Sequence, residues 1–172
     1  MVGRRQIREQ AAIALLSAAS IAGRIVLDPI PGMQPTTVII MVTAMAMGLR
    51  QAVLIAVIST WISNLQLGHG VWTFFQMLGW SVVAAAGFFY GKTKWSQNLF
   101  VSAAVAGLMG ILYGIVVSLN GLLFTRRIIA YYIAGLSHDL THAAGNVAMY
   151  LFFGERLMKI LRKYGEAYSE RK

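Results

Sequence analysis

From Gln51 to Gly91, and again from Trp95 to Thr125, the chain carries no Asp, Glu, Lys or Arg. Soluble domains place a charge at about every fourth residue. Here charged residues make up 12% of the chain and hydrophobic ones 58%. Runs of that length and composition need lipid as solvent, and in lipid the backbone must satisfy its own hydrogen bonds. Helices do so within one segment, and crossing a bilayer takes about 20 apolar residues. The sequence predicts an all-α integral membrane protein, a compact bundle of about six transmembrane helices in a single domain over residues 1–172. Spans are expected near 8–27, 36–49, 51–67, 73–92, 98–119 and 130–155, with a polar, frayed tail over 161–172. The second and third spans are short and meet at Leu49-Arg50, as a tight hairpin or one interrupted element.

The breaks between spans are legible. All three prolines fall between Asp28 and Pro35, where missing amide protons resist helix. Other breaks are Gln66–Trp72, Lys92–Gln97 and Asn120–Arg127. Lys and Arg concentrate on one side: Arg4, Arg5, Arg8, Arg50, Lys92, Lys94, Arg156, Lys159, Arg162, Lys163, Arg171 and Lys172. The positive-inside rule makes that side cytoplasmic, with both termini on it, in the cell membrane. Arg126 and Arg127 fall on the other side, and Arg24 lies within the first span.

Several function classes recede. The net charge of +9 sits at the ends of apolar segments, where anionic lipid rather than nucleic acid is the expected partner. Without cysteine there are no disulfides or thiolate sites. No GxxxxGK[ST] loop is present, so the chain is not expected to drive ATP hydrolysis itself. The basic, then apolar, N-terminus mimics a signal peptide, but the equally apolar remainder favours a first transmembrane helix.

Polar residues inside the spans mark candidate chemistry, because ionisable groups in lipid are costly. Asp139, His142 and Asn146 share one face of the last span, either lining a binding cavity or packing helices through hydrogen bonds. His138 and His142 have the i, i+4 spacing of metal ligands, yet no third carboxylate follows until Glu155, so no metal is expected. Asn64, Gly68, Gly70, Trp72, Thr73, Gln76 and Trp80 gather where the third and fourth spans meet. Trp72 alone fits an interfacial tryptophan belt, whereas Gln76 gains nothing from facing lipid. Small residues recur every four positions at Ala14, Ala18 and Ala22, at Gly87 and Gly91, at Ala103 and Gly107, and at Gly110 and Gly114, as close helix contact in lipid requires.

Four stretches resemble the substrate-binding S-components of energy-coupling-factor vitamin importers. Ala14-Leu15-Leu16-Ser17-Ala18 is similar to the AxxxA by which these proteins dock a shared transmembrane subunit. Pro31-Gly32-Met33-Gln34-Pro35-Thr36 resembles their PN-x-QP-x-T loop, with Gly32 in place of Asn. Gly68-His69-Gly70-Val71-Trp72-Thr73-Phe74-Phe75-Gln76-Met77 resembles a G-x-G-P-W-T-x-x-Q-M pattern of one branch, with Val71 in place of Pro. Asp139-Leu140-Thr141-His142-Ala143-Ala144-Gly145-Asn146 resembles D-L-x-H-A-x-G-N. The resemblance covers residues 11–150. It implies a bundle that binds one water-soluble vitamin near its outer face, a cobalamin-like corrinoid first and pantothenate or another vitamin next. It also implies partnership with a transmembrane coupling subunit and two cytoplasmic ATPases, and release of substrate by toppling in the membrane.

The expected function is therefore substrate binding for import. Gln34, Asn64, Trp72, Gln76, Trp80, Asp139, His142 and Asn146 are the expected ligand contacts, and Ala14, Ala18 and Ala22 the docking stripe. No enzyme activity, cofactor or nucleic-acid partner is expected. The rivals are an intramembrane metal-dependent enzyme built on His138 and His142, and a stand-alone small transporter or channel.

Overall fold

The computed structural model describes residues 3–169, and those residues are helical apart from short connections. Seven α-helices follow in order: α1 Arg4–Leu27, α2 Thr36–Ala46, α3 Leu49–Leu67, α4 Val71–Tyr90, α5 Leu99–Ser118, α6 Ile128–Met149 and α7 Glu155–Ser169. Two 3₁₀ turns, Lys94–Gln97 and Leu119–Leu123, close the ends of α4 and α5, and a π-helical turn over Tyr150–Gly154 joins α6 to α7.

The hub is α2. It touches all six other helices, and Val38, Ile39, Ile40, Met41, Val42 and Ala44 are all buried. Its 11 residues reach only about 16 Å at 1.5 Å each, roughly half the 30 Å hydrocarbon core of a bilayer. The span expected over 36–49 is thus a short central helix. Gly48, at φ 114°, then turns the chain directly into α3, where an L side chain would be strained. Its partners come close because they are small at the contact: a Cβ on Gly87 would lie 3.2 Å from Met41 Cα, and one on Gly91 3.0 Å from Met45 Cα.

The α5–α6 pair uses the same device. A Cβ on Gly107 would lie 2.9 Å from the Val147 side chain, and one on Gly110 3.2 Å from Ala143 Cα. In lipid, where dispersion and hydrogen bonding drive association, such backbone approach holds helices together.

Three helices are long and apolar enough to cross a membrane: Gln6–Leu27, Val71–Tyr90 and Leu99–Leu123. At 19 and 22 residues, α3 and α6 have comparable length but lower apolarity, because Thr60, Ser63, Asn64, Asp139, His142 and Asn146 are buried along them. Large apolar side chains lie on the outer surface, among them Leu15, Phe74, Phe100, Leu108, Ile133 and Phe152. An apolar exterior on that scale marks a partner or a membrane.

The C-terminal segment stays helical beyond the last expected span, which ends near 155. Helix α7 continues to Ser169 and packs on α2, with Met158 and Leu161 buried. The segment alternates apolar and basic residues at helical spacing, so one face seals the core while Arg156, Lys159, Arg162 and Lys163 remain for the polar face. Arg171 and Lys172 lie outside the described residues.

Gly107→Leu should force α5 from α6 and lower stability by about 1–3 kcal/mol, the range for overpacking. Thermal melting in detergent checks this, with the exposed Ala148→Leu unchanged as control.

Candidate ligand-binding site

At the end of the bundle where α1, α3 and α5 finish and α4 and α6 begin, the helices enclose a cavity of about 600 Å³. Its wall combines Arg24, Asp28, the loop Ile30–Gln34, Asn64, Gly68, Trp72, Gln76, Tyr113, Gly114, Asn120, Tyr131, His138 and Asp139. Polar side chains from five helices therefore meet in one space.

Arg24 organises the α1–α3 wall. Its guanidinium donates to Ser63 Oγ and to Asn64 Oδ1 at 3.3 Å, and it lies 4.7 Å from the centre of the Trp80 ring. Asn64 passes the network onward, with Nδ2 donating to Thr73 Oγ1 at 3.0 Å and to Gln76 Oε1 at 2.8 Å. The order Asn64, Thr73, Gln76 reflects a tight turn: the Gly68 N–H donates to the Asn64 carbonyl, 2.8 Å, at φ 101°. That left-handed glycine ends α3 in the manner of a helix C-cap and brings the first two turns of α4 beside Asn64.

The opposite wall is α6. Asp139 stands against Gly114 of α5, where a Cβ would run into its carboxylate. Asp139 Oδ1 is 4.0 Å from His138 Nδ1, and its Oδ2 finds no hydrogen-bond partner despite burial. Tyr131 and Asn120 close the rim, the tyrosine hydroxyl donating to Asn120 Oδ1 at 2.9 Å.

The roof is the proline loop. Gly32 takes φ 74° and lies so close to α6 that a Cβ there would be 2.5 Å from the His142 backbone nitrogen and the Thr141 carbonyl carbon. Gly145 completes the seat, since a Cβ on it would be 2.6 Å from the Gly32 carbonyl oxygen. The loop is a fixed cover on α6, and Gly32 serves packing there.

The expected ligand contacts divide into two sets. Gln34, Asn64, Trp72, Gln76 and Asp139 line the cavity. Trp80, His142 and Asn146 are each 0% exposed and lie outside its lining. Thr37 Oγ1 joins the first two, accepting from Trp80 Nε1 at 3.1 Å and pairing with His142 Nε2 at 3.2 Å. Trp80 stacks on Tyr113 with centroids 4.3 Å apart. This layer is a polar and aromatic floor. Asn146 has no partner for its amide, and nothing in the structure explains it.

Among the described residues, no three His, Asp or Glu side chains converge as metal ligands would. His138 and His142 have ring centroids 6.4 Å apart, and Thr37 occupies one nitrogen of His142. Ala14, Ala18 and Ala22 fall on the exposed face of α1, opposite the buried Ile13, Ser17, Ser20 and Arg24. Arg126 and Arg127 are exposed beyond the rim. Arg24, Tyr113, Asn120 and Tyr131 complete the wall and were absent from the expected contacts. For Arg24 the signal was available, since a lone arginine within an apolar span marks a functional interior.

No protein-family model, curated protein or solved structure matches the chain.

Gly32→Ala should destabilise the fold by about 1–3 kcal/mol through backbone strain, with added cost from collision with α6. Gly68→Ala imposes strain in open space and should cost less, as equilibrium denaturation of the two variants checks.

Proposed function

We propose that the chain is a substrate-binding membrane protein for import, acting as the S-component of an energy-coupling-factor transporter for a water-soluble vitamin. The carrying observation is the cavity lined by polar side chains in an otherwise apolar bundle. Its volume of about 600 Å³ falls within the roughly 300–1,000 Å³ of small-molecule sites. A ligand of pantothenate size fits that space better than a corrinoid, which is several times larger.

The positive-inside bias sets the orientation. The cavity end carries Arg126 and Arg127, while the opposite end carries the basic clusters around Arg50, Lys92 and Arg156. The cavity then opens outward, with both termini in the cytoplasm and the protein in the cell membrane. Binding rather than catalysis is supported by the lining, which offers hydrogen-bond donors and acceptors but no base-activated nucleophile.

A binding subunit without an ATP-binding loop needs partners to release its cargo. The resembling family supplies them as a transmembrane coupling subunit and two cytoplasmic ATPases. The exposed small stripe of Ala14, Ala18 and Ala22 supports docking there, because it leaves a face of small residues on α1 that none of the described helices covers.

Native mass spectrometry of gently purified protein should show one bound small molecule per chain. Ala14→Trp combined with Ala18→Trp should retain that molecule yet lose co-purification with the coupling subunit and ATPases. A wild-type chain that never carries a small molecule contradicts the binding role, and a normal pull-down by the double variant contradicts the docking stripe.

A further inference from the structure

Resting on the binding role above, a second question is which chemistry the cavity selects. Arg24 is 5% exposed and Asp139 6% exposed. Both face the same cavity, and no ion pair joins them or joins Arg24 to the exposed Asp28. Arg24 Nε and Asp139 Oδ2 are each buried without a hydrogen-bond partner. A buried charge left without its complement is costly, so each group calls for something the chain does not provide.

The guanidinium is prepared for a specific partner. Its two terminal nitrogens are tied to Ser63 and Asn64 and its face lies over Trp80. Arginine has five N–H donors in a fixed plane. Two are used here, which leaves donors for an acceptor in the cavity. A carboxylate is the acceptor that a guanidinium takes most strongly. At the other wall, Asp139 can accept only from an N–H or O–H donor, and Gly114 holds the wall open in front of it.

We propose that the ligand is a dipolar carboxylate. Its carboxylate accepts from the N–H donors that Ser63 and Asn64 leave unused on Arg24, and a hydroxyl, amide or ammonium donor at its other end meets Asp139. Gln76, Asn64 and Trp72 line the same cavity, and Tyr113 supplies an aromatic wall for the apolar middle.

The test uses full-length protein in detergent and matched compounds that differ in one group: pantothenate against panthenol, nicotinate against nicotinamide, and biotin against its carboxamide, with pyridoxine, riboflavin and thiamine as vitamins lacking a carboxylate. Thermal stabilisation of the wild type reads binding without any mutation. At least one carboxylate should stabilise the protein, and its neutral counterpart should bind about tenfold or more weakly, as expected for a lost hydrogen bond to a charged group. For that carboxylate, Arg24→Lys keeps the charge but loses the fork and should weaken binding by a similar factor. Asp139→Asn should weaken it while sparing folding. Equal binding of both members of a pair, or stabilisation only by a vitamin without a carboxylate, overturns the inference and leaves the binding role standing. Silence from every carboxylate also overturns it. In that case, native mass spectrometry of the co-purified molecule separates the two failures: a non-carboxylate retains the binding role, and an empty protein removes both.

Discussion

One buried guanidinium holds the upper half of this bundle together. Arg24 enters the interior from α1 and is received by Ser63 and Asn64 of α3. Asn64 in turn fixes Thr73 and Gln76 of α4. Beneath it, Trp80 presents its ring face and then hands its own N–H to Thr37 of α2. Ser20 of α1 reaches the same helix through Thr36, 2.8 Å away. In a bundle whose exterior is apolar, these bonds cannot be exchanged for water without opening the structure, so they specify how α1 to α4 meet. Hydrocarbon packing supplies cohesion but little direction, and the polar network supplies direction.

The same arrangement explains why a cavity exists at all. Because α2 spans only part of the bundle's height, the space above its N-terminus is left to α1, α3, α4, α5 and α6. Helix α7, which continues α6 through the π-helical turn, packs against α2. Glycines bring α5 and α6 together along their length, and at Gly114 the same series turns from packing to site by making room for the Asp139 carboxylate. The proline loop then seats Gly32 on α6 and roofs the space.

Much of this was legible in the residues. The helix order, the proline loop and the gathering of Asn64, Trp72 and Gln76 all follow from apolar runs and their interruptions. The identity of a polar residue did not reveal whether it faces the cavity or the layer below: Asp139 and His142 share a helix face, yet one lines the cavity and the other bonds to Thr37 beneath it. One helical turn of depth separates those fates, and periodicity carries no depth. That α2 is short and turns at once into α3 was legible, but its place as the buried centre of the bundle was not, since an apolar run reads alike as span or core helix. The apolar face of α7 lay hidden among basic residues: Met158 and Leu161 are buried, and the helix packs on α2. Arg24 was left out of the expected contacts, although its cost inside an apolar helix already marked it.

The central claim is that a polar, outward-opening cavity lies within an apolar bundle, and the absence of native cysteine allows it to be tested directly. Single cysteines can be introduced at Ser118 and Ala134, which line the cavity wall, and at Lys94 at the opposite end. Intact cells are then treated with a membrane-impermeant maleimide. The account predicts labelling at positions 118 and 134 in intact cells, and labelling at position 94 only after the membrane is broken. Labelling of position 94 in intact cells, with positions 118 and 134 reached only after lysis, would contradict it.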